Sequence, residues 1–376
     1  MARSSKAAVS AAGARVIAMR GAGYYSSNTA GAKQVIDSAA ELALSAIAGM
    51  ALPADGRPFA IADYGAADGG TSLDMMRRLV GAVRARDGGL PVSLTYTDLP
   101  SNDFSALFSL LQAEGGEGRE GGLGREPGVF VFGSGTSFYR QILPDATLHL
   151  GFSATAMHWL SRSPGPIAGH THAVGAAPEE RAAYRAQSLA DWDTILLARA
   201  RELVPGGVLV MANFCVDENG HYLGWTGGVN MHDRFAAHWR ALQDEGTITE
   251  AEHRAAALQQ YYKTAEEFAA PFRDPASAVS LAGLRLERVF TRVTPCPYRA
   301  AFEQHGDAAS FARSYIPTLR SWTESTFLSA LDPARGPERR RAIVDRFYDL
   351  YEAEVAASPA GHAMDYVHCF MVIRKV

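Results

Sequence analysis

The chain has 376 residues, with 36 Lys and Arg against 40 Asp and Glu, a formal net charge of −4 and 47% hydrophobic residues. That length buries a sizeable core, either as one elaborated domain or as a core domain with a cap. The mild charge, with no basic stripe, argues against a nucleic-acid partner, and no apolar run approaches the roughly 20 residues of a membrane span.

Residues 1–18, rich in Ala and Ser, read as a mobile arm or lid that orders on binding. They lack the apolar core of a secretory signal, so the cytoplasm is the simplest location. Residues 33–50 carry helical spacing of apolar positions. The apolar run Phe59 to Ala62 then leads into Asp63-Tyr64-Gly65-Ala66-Ala67-Asp68-Gly69-Gly70 and a helix-like stretch. A buried strand turns sharply through glycines into a helix. Gly65 and Gly69 let a ligand approach bare backbone, and the helix start offers unpaired N–H groups. Taken alone, the motif also reads as an ordinary tight turn.

A second strand, about 92–97, ends at Asp98-Leu99-Pro100. In a doubly wound sheet, ligands sit beyond the carboxyl ends of the strands, where an acidic residue accepts hydrogen bonds from both ribose hydroxyls. The turn lacks the full dinucleotide fingerprint and has no Gly-Lys-Ser/Thr, which argues against NAD and ATP. S-adenosyl-L-methionine fits best, since it has a ribose, no phosphate, and positive charges that acidic side chains complement. The rival reading has Asp63 and Asp98 capping neighbouring turns.

Farther on, residues 114–128 repeat Gly and Glu and read as a flexible surface loop. Strand candidates at about 128–133, 147–153 and 207–213 continue an alternation with helices, which implies an α/β fold with a mostly parallel, Rossmann-like sheet. His170-Thr171-His172 invites a metal reading, but two histidines without a third ligand are expected to be surface loop residues, and no metal is expected. Cys215, Cys296 and Cys369 are widely spaced, without the pattern of a disulfide framework or a zinc site. Residues 222–278 look helical, with Trp225, Phe235 and Trp239 among the apolar positions. A strand at 284–293, helices at 308–330 and 338–357, and a last strand at 367–373 follow. The expected organisation is a core over residues 1–221, a helical cap from 222–278 and 300–357, and strands in 279–299 and 358–376 that return to the sheet.

The chain resembles the SABATH methyltransferases, the salicylate, benzoate, jasmonate and theobromine-type enzymes. The matching stretches begin with Met19-Arg20-Gly21-Ala22-Gly23-Tyr24-Tyr25-Ser26-Ser27-Asn28-Thr29, the turn at 61–70, and Thr97-Asp98-Leu99-Pro100-Ser101-Asn102-Asp103-Phe104. They continue with Gly133-Ser134-Gly135-Thr136-Ser137-Phe138-Tyr139, Leu148-His149-Leu150-Gly151-Phe152-Ser153, His158-Trp159-Leu160-Ser161 and Tyr261-Tyr262-Lys263-Thr264-Ala265-Glu266-Glu267-Phe268. The resemblance runs from about Ala18 to the end, and 99–104 is its most specific piece. It implies a class I methyltransferase sheet under a helical cap, S-adenosyl-L-methionine as cofactor, a small-molecule acceptor and a homodimer.

Residue by residue, the resemblance implies that Tyr25 and Thr29 close over the methionine part of the cofactor. Asp63 and Gly65 would face its methionine end, Asp98 the ribose hydroxyls, Leu99 the adenine, and Ser137 and Phe138 the adenine edge and face. Trp159 would donate its ring N–H to the acceptor's carboxylate, and indole, a donor only, suits an anion. His158 would line the same pocket. Phe138, Trp159 and His158 also read as ordinary core residues. Thr155, Trp225, His232 and Trp322 fall where the family lines its acceptor pocket. The glutamine that helps clamp the carboxylate in many relatives is Ala32 here, with Lys33 or Gln34 as candidate replacements.

A carboxylate, with an ordinary pKa near 4, is ionised at neutral pH and needs no general base. No Gly-x-Ser-x-Gly elbow or paired carboxylates suggest covalent or acid–base catalysis. Methyl ester formation therefore leads, and transfer to nitrogen, sulfur or a hydroxyl, favoured by Ala32, comes second. A cofactor-binding protein without catalysis is the third reading.

Overall fold

A computed structural model describes residues 29–115 and 121–376. Tyr25 and the expected N-terminal arm lie outside these residues. A single eight-stranded sheet runs in the order β3-β2-β1-β4-β5-β8-β7. Its strands are β1 (Phe59–Tyr64), β2 (Val92–Thr97), β3 (Val129–Ser134), β4 (Leu148–Ala154), β5 (Leu203–Val216), β6 (Lys263–Thr264), β7 (Leu284–Thr294) and β8 (Tyr366–Lys375). The first five pair in parallel, β6 adds a parallel two-residue extension to β5, and β8 inserts antiparallel between β5 and β7. The α/β expectation holds. The central strands are nearly continuous in buried residues, as strands covered on both faces must be.

Helices α1 (Ala30–Gly49) and α2 (Leu73–Arg86) pack together, and α1 also lies against β4, β5 and β8. The inner face of α1 is built from small residues, Ala32, Ala39, Ala40, Ala43 and Ala46 among them, which lets the helix come close to the sheet. At Gly31 the approach is closest, since a Cβ there would sit 2.1 Å from the Tyr366 ring. A short helix, α3 (Phe104–Leu111), is capped by the Asp103 carboxylate, which accepts from Ala106 N. Long α4 (Pro178–Glu202) buries Trp192, whose indole N–H donates to the Phe268 carbonyl at 3.0 Å.

The stretch 222–278 is less helical than its apolar spacing suggests. It holds α5 (Met231–Asp244), α6 (Glu250–Ala255), α7 (Ala265–Arg273) and α8 (Ala278–Leu281), separated by turns and by β6. Helices α5 and α6 pack with α10 (Ala308–Ala330) and α11 (Pro337–Ala357), while α7 and α8 lie against α4 and β7 on the sheet. Phe268 and Trp192 meet edge-on at 5.2 Å, which draws α7 to the sheet. Phe235, Trp239, Phe327, Phe347 and Tyr351 fill the centre of the helical group, with Phe327 and Phe347 centroids 4.3 Å apart. Burying side chains of this size contributes roughly 2–3 kcal/mol each. Another helix, α9 (Pro297–His305), packs on α10.

The expected flexible loop at 114–128 is partly fixed. Leu123 is fully buried, and Arg77 and Arg84 donate to the carbonyls of Gly121 and Pro127. Leu123 packs into the core, and the two arginines hold the backbone on either side of it. His170 and His172 are also buried rather than on a surface loop: His172 stacks on His232 at 4.3 Å and packs at a tilt against Tyr262 at 4.5 Å, and His170 Nδ1 bonds the His172 carbonyl at 2.9 Å. Among the described residues, no helix is long and apolar enough to cross a membrane.

Candidate functional site

Two cavities open at the carboxyl ends of the parallel strands, where the sheet geometry favours ligand binding. The larger, about 210 Å³, is lined by the β1 turn (Asp63, Gly65, Ala66, Ala67), Thr71, Ser72, Asp98, Leu99, Ser137, Phe138 and Tyr139, and on its far side by Thr155, Trp159 and Gln259. The smaller, about 30 Å³, is bounded by Thr29, Thr155, His158, Trp159, Phe214, Trp322, Met364 and Tyr366. Thr155 and Trp159 line both.

The turn after β1 is locked onto the end of β2. Gly65 and Ala66 donate to the Thr97 carbonyl at 2.8 and 3.0 Å, and Ala67 N donates to Asp98 Oδ2 at 2.8 Å. Asn102 Nδ2 returns a bond to the Ala67 carbonyl at 2.8 Å. Gly65 has φ +83°, and a Cβ there would lie 2.4 Å from that of Ala156, so both conformation and space demand glycine. The two acids thus flank one rigid backbone turn.

Asp63 is buried and accepts from Ser72 Oγ at 2.6 Å. Burial pushes its carboxyl up to about 7, against the Ser72 bond, and the nearby Asp98 charge adds to the rise. Burial also raises Asp98, opposed by its bonds from the backbone of Ala67 and Leu99. A buried carboxyl with one hydroxyl partner is short of positive charge. A sulfonium and an ammonium group would supply it, and Asp98 retains lone pairs for ribose hydroxyls. These residues therefore fit S-adenosyl-L-methionine.

The loop after β3 carries Ser137 and Phe138 to the opposite wall. It is held by a fully buried ion pair, Arg199 with Glu202 at 2.7 Å. Arg199 donates to the carbonyls of Phe138 and Arg140 at 2.9 and 2.8 Å, and Glu202 accepts from the N–H groups of Ile142 and Leu143.

Trp159 is pinned through its backbone. Tyr139 donates its hydroxyl to the Trp159 carbonyl, Trp159 bridges to Gln260, and Gln259 Nε2 donates to the Leu160 carbonyl at 2.7 Å. Ser161 donates N and Oγ to Asp191 at 2.8 and 2.6 Å. Beside it, His158 is buried against Phe214, ring centroids 4.7 Å apart, and among the described residues no hydrogen-bond partner meets its Nδ1. Burial, with repulsion from His368 and Lys263, holds His158 well below the usual imidazole range. His172 and His232 are likewise held down, chiefly by burial, and His368 falls to about 3 for the same reason. The acceptor end is thus layered with uncharged imidazoles.

Of the expected acceptor-pocket residues, Thr155, His158, Trp159 and Trp322 come together around the smaller cavity; Thr29, expected at the cofactor's methionine end, lies there too and does not line the larger cavity. His232 lies one layer behind, 6.5 Å from Trp322 and stacked on His172, and lines neither cavity. Trp225 lines neither and packs against Tyr222 at 5.3 Å. Ala32 lines the larger cavity, whereas Lys33 turns outward to Asp74 at 2.8 Å and Gln34 is exposed. Neither replaces the clamp glutamine.

Sequence reasoning missed Ser72, Tyr139, Gln259, Phe214, Met364 and Tyr366. Tyr139 follows Ser137-Phe138 directly and was within reach of the motif. Met364 and Tyr366, by contrast, lie just before and at the start of a strand that reads as plain core.

Residues 15–376 match the family described as SAM dependent carboxyl methyltransferase. The chain is similar to gibberellic acid methyltransferase 2 of Arabidopsis thaliana, 28% identical over 284 residues that span 68% of this chain and 70% of that protein. It is similar to loganic acid O-methyltransferase of Catharanthus roseus, 27% identical over 224 residues, 56% of this chain and 57% of that one. A solved structure of loganic acid methyltransferase with SAH matches at a TM-score of 0.73 and 21% identity, covering 95% of this chain and 98% of that one, and shows the same fold.

Proposed function

The chain belongs to the S-adenosylmethionine-dependent carboxyl methyltransferase family, and we propose that it methylates the carboxylate of a small-molecule acid where its two cavities meet. The observation that carries this reading is the pair Thr155 and Trp159, which line both the larger cavity, with its two acids, and the smaller chamber. In this reading Asp63, Gly65, Asp98, Leu99, Ser137 and Phe138 hold the cofactor, joined by Thr29 and by Tyr25 from outside the described residues. Trp159 and His158 orient the acceptor, Thr155 and Trp322 shape its chamber, and His232 supports that chamber from behind, with Trp225 outside it.

S-adenosylmethionine, when bound, supplies a sulfonium methyl, so that a C–O bond to an already ionised carboxylate forms as the C–S bond breaks and no proton moves. The protein's task is therefore to align and to exclude water. Trp159 offers a neutral N–H donor, and His158, kept uncharged, adds no charge that would shift with pH. A neutral environment also avoids an ion pair that would hold the acceptor oxygen back. The helical group of α5, α6, α10 and α11 acts as the cap. The reading extends to a cytoplasmic homodimer without nucleic-acid partners; the family resemblance supports the dimer, and the net charge of −4 argues against a nucleic-acid partner.

Ala32 at the place of the clamp glutamine favours a second reading, transfer to nitrogen, sulfur or a hydroxyl. Methyl-labelled S-adenosylmethionine, offered with a panel of aromatic, fatty and terpenoid acids, N-heterocycles and thioethers, separates the two. Label released as methanol by mild alkali identifies a methyl ester. Label that survives alkali on every accepted compound overturns the carboxylate reading.

A further inference from the structure

We propose that Tyr139 is a positioning residue that transmits the state of the cofactor cavity to Trp159, with the buried Arg199–Glu202 pair as its anchor. The inference rests on the orienting role assigned to Trp159 above.

Tyr139 belongs to two structures at once. Its side chain lines the larger cavity beside Phe138, with ring centroids 4.8 Å apart, and its hydroxyl donates to the Trp159 carbonyl. The backbone on either side of it cannot drift, because one guanidinium grips the carbonyls of both Phe138 and Arg140. Glu202 secures Ile142 and Leu143 through their N–H groups and accepts from Tyr64 OH at 2.5 Å. Both members of the pair are fully buried, where a planar two-pronged donor is held most firmly. The other restraints on the 157–161 segment are of a different kind: Trp159 N donates to the Ala156 carbonyl at 3.3 Å and its backbone bridges to Gln260, while Asn213 accepts from Met157 N, Gln259 donates to the Leu160 carbonyl, and Asp191 takes Ser161. Among the described residues, Tyr139 is the side chain of the larger cavity that hydrogen-bonds Trp159 itself. A ligand that presses on the Phe138–Tyr139 wall thereby moves the carbonyl that carries the indole.

The test uses the full chain labelled with 5-fluorotryptophan, whose five tryptophans give five fluorine resonances. Trp159 is assigned as the one lost in Trp159→Phe, and S-adenosylhomocysteine is the titrant. In Tyr139→Phe the Trp159 resonance is expected to shift and its response to the titrant to weaken about fivefold, with the other four resonances unmoved and titrant affinity within about twofold of the parent. An unchanged Trp159 resonance and response overturns the proposal, as does a loss of titrant affinity beyond about tenfold, which makes Tyr139 a cofactor ligand instead. Arg199→Lys, which keeps the charge but loses the fork, is expected to move the same resonance, and movement confined to the other four refutes the anchor. If Trp159→Phe transfers methyl as fast as the parent while the coupling holds, the orienting role fails and the coupling stands. If Trp159 proves essential to transfer while its resonance ignores Tyr139→Phe, the coupling fails and the orienting role stands.

Discussion

The cofactor end and the acceptor end are built in opposite ways. At the first, Asp63, Gly65 and Asp98 come from two adjacent strand tips, and backbone hydrogen bonds fix them within a single turn. At the second, the walls come from Thr29, the 155–159 segment, Phe214, Trp322 and Met364–Tyr366, with His158, His172, His232 and His368 buried in or around the chamber. One end concentrates carboxylates that need a cation. The other collects rings that stay neutral. A site that must hold the same cofactor in every turnover can be rigid and local, whereas the acceptor chamber is an outcome of how distant elements pack.

The largest effect that sharpens this contrast is at Asp98. Asp98→Ala, which removes the proposed ribose acceptor and the partner that holds the N–H groups of Ala67 and Leu99, is expected to lower affinity for S-adenosylmethionine about a hundredfold by calorimetry, about 3 kcal/mol. Unchanged affinity breaks the assignment of this end to the cofactor. Trp159→Phe is next: acceptor turnover is expected to fall roughly tenfold to a hundredfold, from one lost hydrogen bond to a charged group, with cofactor affinity unchanged. Equal loss of both would make Trp159 a packing residue and dissolve the distinction between the ends.

The same contrast decides what could be read in the sequence. Asp63, Gly65, Asp98, Leu99, Ser137 and Phe138 sit in short contiguous motifs, and all six line the larger cavity. Chain proximity there equals spatial proximity. His232 and Trp225 were read by position along the chain, but His232 packs one layer deeper on α5 and Trp225 sits in the turn before that helix against Tyr222, so both fall outside the cavities. The bends within 222–278 were signalled by Thr249-x-x-Glu252 and Thr264-x-x-Glu267, each a capping box that starts a new helix, but apolar spacing alone hides them. Met364 and Tyr366 gave no signal, since a pocket residue at a strand end has the composition of core.

Acid should move the two ends in opposite directions. Asp63, raised to about 7, ionises only as pH climbs through that value, so affinity for a cationic cofactor is expected to fall about tenfold per unit below it. Its folded pKa lies above the unfolded one, so between roughly 4 and 7 the ligand-free fold loses stability as pH rises. The buried histidines have folded pKa values below their unfolded ones, so they withdraw stability as pH falls below about 6.5. Asp63→Asn should flatten the pH dependence of cofactor affinity while leaving the acid loss of melting temperature in place. If the acid loss also vanishes, the histidines are not its source.

The smallest effect is expected where the ends meet. Thr155 has φ +59°, a left-handed conformation that a β-branched side chain tolerates poorly, and its N–H is held to the Ala212 carbonyl at 2.8 Å. Such strain costs of order 1–3 kcal/mol and persists only where surrounding structure enforces it. Glycine would relieve the strain but give back about 0.5–1 kcal/mol in chain entropy, so Thr155→Gly should leave urea stability unchanged or raise it by about 1 kcal/mol. Turnover should nevertheless fall a few-fold, because the side chain that lines both cavities is gone. Asn, which adopts this conformation more readily than Thr and retains a side chain, should keep the stability and more of the turnover. If Thr155→Gly instead destabilises the fold by more than about 1 kcal/mol, the threonine is there for packing, and the strained residue between the two cavities has no functional reason to be strained.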